Sequence, residues 1–311
     1  MILRLLLATG LLLQVGSASA RRIVLSNDDG LTSNVKALYE ALKADGHDVI
    51  VAVPCTNQSG MGAAIKILKP LISLDQDCRN GAARTGQRAV GPMSRDGLGP
   101  DYFYVDGTPV MALLYGLDIV GAKRWGGPPD LVLSGPNEGQ NVGSLVIASG
   151  TVGVVQFAGS RGLPAIALSA GLKTAGDDTL DNPDSVIVAR LATELVKALD
   201  KRSGGRALLP PGLALNVNFP DRLAGATWRL TKPGTYNSFT VRFSSDVDKA
   251  AAPRPGVSIV LNGTTPTAAQ QDDEAAVIRK DIAVSVMQIG YEPQPGASLW
   301  LKRYLRGFFQ R

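Results

Sequence analysis

The chain has 311 residues, 45% of them hydrophobic, and a formal net charge of +5. That length and apolar content exclude a disordered chain and are enough for one large domain, with or without an appendage. Lys and Arg are scattered with no dense patch, which argues against nucleic acid as an obligate partner. The single histidine, His47, excludes an HExxH zinc site, a multi-histidine metal centre and any Ser-His-Asp triad that does not use it.

Met1 to Ala20 combines Arg4, a Leu-rich run from Leu5 to Val15, and small residues at Ser17-Ala18-Ser19-Ala20. This reads as a signal peptide over residues 1–20, because the apolar run is too short to span a bilayer. No later stretch resembles a transmembrane segment, so the mature chain, 21–311, is expected to be exported, periplasmic or secreted. Cys55 and Cys78 are the only cysteines. In an exported chain they suggest one disulfide, with two buried free thiols as the alternative.

Arg22-Ile23-Val24-Leu25-Ser26 runs as a short buried strand into Asn27-Asp28-Asp29-Gly30, where Gly30 frees the backbone to turn. Ser33 to Asp45 follows with Val35, Leu38, Tyr39 and Leu42 at helical spacing. His47 falls at the junction after the Gly46 helix stop. A second strand, Asp48 to Val53, ends in a polar loop, Pro54 to Gly62, that carries Ser59. Ala64 to Leu74 reads as strand or extended chain, and Gln76 to Gly99 as a long surface excursion. Tyr102 to Val105 is a short strand. Thr108 and Pro109 then open a helix running to about Ile119. Asp130 to Ser134 is another buried strand, leading into a glycine- and asparagine-rich loop, Gly135 to Gly143, and then into Ser149-Gly150-Thr151. A helix to Ser160, a strand from Pro164 to Ser169, a long helix capped by Asn182-Pro183 and a strand from Leu213 to Phe219 complete the alternation. On that long helix Ile187, Leu191, Leu195 and Leu199 share a face. The pattern is that of an α/β protein with a doubly wound, mostly parallel sheet.

Residues 222–263 change character, with extended arms at Trp228–Leu230 and Val257–Leu261 and the stretch Thr240–Phe243 between them, and read as a protruding C-terminal hairpin region. Asp272 to Lys280 is expected to be helical and Ile282 to Ile289 a strand. The tail, 297–311, carries Trp300, Leu301, Tyr304, Leu305, Phe308 and Phe309 on one helix face, which is expected to dock on the core.

In a parallel sheet, ligands bind at the carboxyl ends of the strands. There this chain places Asp28 and Asp29, then Ser59, then Asn137 with Asn141. Two adjacent carboxylates repel each other, and a hard divalent cation is a simple neutraliser. With one histidine and two cysteines, a metal must be held mostly by oxygen, which points to Mn2+, Mg2+ or Ca2+. Ser149-Gly150-Thr151 opens a helix whose free N–H groups suit a phosphate. A cation beside such a cradle is the layout of metal-assisted phosphoester hydrolysis. Taken alone, each segment also reads as an acidic turn or an ordinary helix cap.

Leu25-Ser26-Asn27-Asp28-Asp29-Gly30, Ser59-Gly60, Asp106-Gly107-Thr108-Pro109, Ser134-Gly135-Pro136-Asn137-Glu138-Gly139-Gln140-Asn141-Val142-Gly143 and Ser149-Gly150-Thr151-Val152, in that order, resemble the SurE family of survival-protein nucleotidases. The resemblance spans most of residues 22–290. It implies a Rossmann-like domain over 21–311, a projecting hairpin, homo-dimers or tetramers, and metal-dependent hydrolysis of nucleoside monophosphates or other small phosphomonoesters. The catalytic pair would be Asp28 and Asp29, the metal ligands Asp28, Asp29, Ser59 and Asn137, and the phosphate contacts Ser149, Gly150 and Thr151, with Asn141 beside them.

The chain departs from the family pattern at Pro136, at Ala148, after Pro109 and through Gly234–Gly256. These departures bear on base preference and assembly. An exported phosphate- or nucleotide-binding protein without activity and a broad acid phosphatase are the competing functions. A Rossmann dehydrogenase lacks its Gly-x-Gly-x-x-Gly fingerprint here.

Overall fold

The computed structural model describes residues 20–247, 253–291 and 296–306. Strand β1 (Arg22–Ser26) lies inside a nine-stranded sheet, with β2 (Asp48–Pro54) parallel on one side and β5 (Leu131–Glu138) parallel on the other. Beyond β2 come β4 (Tyr102–Val105), parallel, and the short antiparallel edge strand β3 (Val90–Pro92). Beyond β5 come β6 (Ala165–Ala170) and β7 (Leu213–Asn218), both parallel. Next is β11 (Ile282–Gln288), antiparallel to β7, and then β8 (Trp228–Thr231), parallel to β11. The sheet is doubly wound and mostly parallel, as the alternation predicts. The strand order reverses between β1 and β5, which is the switch point where such folds bind ligands.

The two faces follow from the two-residue period of the strands. Ile23 and Leu25 pack with Leu38 and Leu42 of α1 (Ser33–Ala44) and with Val188, Ala192 and Val196 of α5 (Pro183–Ser203). Val24 faces the other way, toward Leu113 of α2 (Pro109–Tyr115) and Val154 and Val155 of α4 (Gly150–Ser160). Each of these four helices starts at a side-chain cap: Thr32, Thr108, Ser149 and Asn182 accept from Val35, Met111, Val152 and Asp184 N–H. Such caps contribute about 1 kcal/mol each.

Several elements differ from the sequence reading. Ala64–Leu74 forms no strand; only an isolated bridge from Ser73 to Arg88 is present. Residues 76–99 are not a pure surface excursion, since Ala82, Ala83 and Ala89 are buried and the segment supplies β3. The helix after Pro109 does not stop near Ile119. It widens into a π-turn at Gly116–Gly121 and continues as α3 (Ala122–Trp125). Gly116 is required there, because a Cβ would sit 2.9 Å from Ala52 Cβ. On α5 the buried stripe is Val188, Ala192 and Val196, while Ile187 is 37% exposed. Val188, Ala192 and Val196 lie in the core cluster that α5 shares with α1, and Leu191, Leu195 and Leu199 pack partly buried at its margin. β8 joins the main sheet, and the projecting hairpin is made by β9 (Phe239–Ser244) and β10 (Gly256–Leu261). Residues 272–280 hold only one turn of helix, α6 (Glu274–Val277). α7 (Ala297–Tyr304) forms but has no buried residue, so it is not docked on the core; its Trp300 ring stacks on Tyr304. Met1–Ser19, which hold most of the expected signal peptide, and Phe308 and Phe309 lie outside the described residues.

Arg21 marks where the chain enters the core. Its guanidinium pairs with Asp200 at 2.5 Å and reaches Ser203, all three residues being buried. Its backbone N–H donates to Nδ1 of His47 at 3.1 Å. Ala20, one residue earlier, is exposed.

Candidate active site

Asp28 and Asp29 leave the carboxyl end of β1 and are 3% and 2% exposed. Asn27 makes the turn that aims them: its amide donates to Gly30 C=O at 2.8 Å, and its carbonyl accepts the Gly30 N–H at 3.1 Å. Gly30 sits at φ +86°, in the left-handed region that suits glycine.

Asp28 faces the start of α4. It accepts the Thr151 hydroxyl at 2.5 Å and the Gly150 N–H at 3.1 Å. Gly150 has to be glycine, because a Cβ would lie 2.6 Å from Asp28 Cβ. Asp29 accepts the Glu138 N–H at 2.8 Å from the end of β5 and the Asn57 amide at 2.9 Å from the loop after β2. Asn137 joins the cluster through its Oδ1, which lies 3.2 Å from the Thr151 Oγ1 that donates its proton to Asp28. It can do so because β5 bulges at Gly135-Pro136 and pairing with β6 resumes at Asn137 and Ser169. The strand therefore runs on to Glu138 instead of ending at Ser134.

Of the residues singled out in the sequence, Asp28, Asp29, Asn137, Gly150 and Thr151 meet directly. Ser59 comes near through its loop: Gln58 N–H donates to Asp28 C=O at 2.7 Å, and Ser59 N–H closes a turn on Asn57 Oδ1. Ser59 itself is exposed. Ser149 is the α4 cap, buried at 5% exposure. Asn141 donates to Ser169 Oγ, on the residue that pairs with Asn137, and its backbone carbonyl accepts from Asn216 and Asn218. The start of α4, read as a phosphate cradle, holds Asp28: the Gly150 N–H and the Thr151 hydroxyl are both directed to it.

No Lys, Arg or His contacts either carboxylate among the described residues. Burial pushes the Asp28 carboxyl up, against the hydrogen bonds from Thr151 and Gly150 that favour its ionised form. Burial first, and the charge of Asp28 second, push Asp29 up to about 7. Two buried carboxylates with polar donors around them, beside an Arg79 that is already paired with Glu138, suit a divalent cation. No group of three or more His, Cys, Asp or Glu side chains suited to a metal occurs among the described residues, so two carboxylates and neutral oxygens such as Asn137 Oδ1 are what the site offers.

The profile of the family described as Survival protein SurE matches residues 23–239, well over half of the chain. The chain belongs to the SurE family. A SurE relative from Syntrophobacter fumaroxidans, named 5′-nucleotidase SurE, is 33% identical over 263 residues, covering 82% of this chain and 86% of its own. An acid phosphatase from Yarrowia lipolytica is 37% identical over 209 residues, 65% of this chain but 57% of its own length. This chain thus aligns with little more than half of that relative. The crystal structure of the SurE protein from Aquifex aeolicus superposes with a TM-score of 0.66 at 25% identity, covering 91% of this chain and 99% of that one.

Around the SurE pair stand residues that the sequence reading did not single out. Asn57 and Glu138 touch Asp29, and Arg79 touches its backbone. Asn57 and Glu138 lie one or two positions from residues already flagged, so the loops were found and the contacts were not. Arg79 has no local signal: it is 50 residues from Asp29 and is delivered by the Cys55–Cys78 disulfide, which is present in the structure.

Proposed function

We propose that this SurE-family enzyme is a divalent-metal-dependent phosphomonoesterase that hydrolyses nucleoside monophosphates, with the phosphate on the 5′ or 3′ position, to nucleoside and phosphate. The observation that carries the reading is the buried pair Asp28–Asp29 at the switch point, beside the N-terminus of α4, with the nearby Arg79 already paired to Glu138. The relatives named 5′-nucleotidase SurE support the substrate class. Asp28, Asp29 and Asn137, with Ser59 on the adjoining loop, would hold the cation. A bound Mn2+ or Mg2+ supplies Lewis-acid polarisation of a phosphoryl oxygen and an acidified water. The chain supplies the rest. Thr151 and Gly150 fix the orientation of Asp28, and Asn57 and the Glu138 N–H do the same for Asp29. With the Gly150 N–H and Thr151 hydroxyl turned to Asp28, the Ser149 hydroxyl at the cap of α4 is the donor this helix start would offer a phosphate.

The test is phosphate release from nucleoside 5′- and 3′-monophosphates and from p-nitrophenyl phosphate, with Mn2+, Mg2+ or chelator. Release from nucleotides that chelator abolishes is expected. No release with any metal would favour a binding protein, and chelator-insensitive release would overturn the metal reading. A broad acid phosphatase is the second reading, favoured by the 37% identity to the yeast acid phosphatase. It predicts p-nitrophenyl phosphate turnover equal to that of nucleotides.

We also propose that the protein works outside the cytoplasm and assembles as a homo-dimer or tetramer. The disulfide supports the first, since such bonds persist in oxidising compartments. The second is supported by the exposed apolar hairpin, where Phe243 is 78% and Leu261 75% exposed.

A further inference from the structure

Arg79 and Asn80 sit on a one-turn 3₁₀ helix, Arg79–Gly81, immediately after Cys78. Arg79 Nη1 donates to Asp29 C=O at 3.0 Å, and Asn80 Nδ2 donates to Leu31 C=O at 2.9 Å. The two residues therefore grip the Asp29–Gly30–Leu31 turn on either side of its glycine. Arg79 Nη2 pairs with Glu138 Oε2 at 2.6 Å, with the glutamate side chain 7% exposed. Glu138 in turn donates its N–H to Asp29 Oδ2. The ring Asp29–Arg79–Glu138–Asp29 is closed by hydrogen bonds throughout. Its outer support is covalent, because Cys78 is bonded to Cys55, and Arg79 N–H donates to Cys55 C=O at 2.8 Å.

We propose that Arg79 is a positioning residue for Asp29, presented by the Cys55–Cys78 bridge, and that it neutralises Glu138, which otherwise stands as a third carboxylate beside the pair. This rests on the metal-site reading above. The guanidinium fork matches the arrangement: one arm holds a carbonyl of the turn, and the other holds the carboxylate whose own N–H orients Asp29. Groups that orient a metal ligand typically carry a roughly 10- to 100-fold effect on metal affinity or activity when removed. Lys keeps the charge but lacks the planar fork whose two arms reach the two acceptors here.

The test is calorimetric titration of the metal-free protein with Mn2+ alone, for wild type, Arg79→Ala, Arg79→Lys and Asp29→Asn, each also after reduction of the disulfide, with thermal unfolding as the folding control. Wild type is expected to bind Mn2+ and Asp29→Asn to lose binding. Arg79→Ala should bind about 10-fold or more weakly, and Arg79→Lys should fall between. Reduction should weaken binding in wild type and have little further effect in Arg79→Ala. In turnover, Arg79→Ala should lower kcat at saturating metal more than it raises KM. Folded Arg79→Ala with wild-type Mn2+ affinity would overturn the proposal while leaving the metal site intact. Equal weakening by reduction in both proteins would show that the bridge does not act through Arg79. Absence of Mn2+ binding in wild type would overturn the metal reading and this inference together.

Discussion

Asp29→Asn removes a charge from a site whose nearby cation, Arg79, is already paired with Glu138, and it keeps the size of the side chain. Metal-dependent phosphate release is expected to fall by more than the roughly 100-fold upper range for a group that only orients a ligand. The metal-free fold should be as stable as wild type or more so at pH 8, because burial and the Asp28 charge both oppose ionisation of Asp29. Phosphate release across a Mn2+ titration, together with chemical denaturation of chelated protein, checks both halves. His47 gives a second prediction at this scale. Burial holds its imidazole below 6.5, so the folded state favours the neutral ring that accepts the Arg21 N–H. Asp45 and Asp200 pull its pKa up, and Lys197 and Arg21 push it down, without reversing the shift. The stabilisation is therefore complete above about pH 6.5 and is lost as pH falls through the lowered folded value. His47→Gln should flatten the stability curve between pH 7 and 5, as read by urea denaturation. An unchanged slope would remove His47 from the acid response. The pair Asp28–Asp29 was legible in sequence because its two acids are adjacent and end an apolar run. Arg79 was not, because its role depends on a contact across 50 residues.

At the scale of elements, strand ends and helix starts meet with almost no spare room. Gly150 heads α4 with Asp28 against its Cα, and a Cβ there would also lie 2.8 Å from Pro109 Cγ. Gly150→Ala is expected to push Asp28 away, lowering turnover at least about 10-fold and stability by about 1–3 kcal/mol, the usual range for overpacking. Turnover and thermal unfolding measure the two effects, and wild-type values for both would contradict the close approach. The bridge between Cys55 and Cys78 spans 23 residues, which in the chain-entropy model contributes roughly 3 kcal/mol. Most elements were readable from apolar period and caps: Thr108-Pro109 and Asn182-Pro183 start helices where expected. The misses share a cause. β5 runs past Ser134 because pairing with β6 resumes after a bulge, and the buried face of α5 is set by its packing against α1 and the core. Neither is visible in the periodicity of one segment.

The molecule leaves apolar side chains uncovered on the β9–β10 hairpin and on α7. Val257 is 65%, Ile259 64% and Phe243 78% exposed on the β9–β10 hairpin, and Trp300 is 62% exposed on α7. Among the described residues these groups are left exposed, and Trp300 and Tyr304, expected on a core-facing stripe of the tail, face solvent. Light scattering after size exclusion should give a dimer or tetramer for the full chain. Replacing Phe243 and Ile259 with Asp should shift the mass toward one chain, and a monomeric wild type would leave the patch without an assembly role.

Arg21 sets an order of events in time. Its side chain is held in the core by Asp200 and Ser203, and its N–H by His47, while Ala20 is exposed. A peptidase acting between Ala20 and Arg21 needs several residues on both sides drawn out into its cleft. Once β1 has paired, the residues after the cut are locked in the sheet, so removal of a leader at this bond has to come before folding. Folded precursor challenged with purified signal peptidase should resist, and the same precursor unfolded in urea and diluted into the peptidase should be cut at Ala20. Equal cleavage of both would show that the first strand opens readily enough to follow processing.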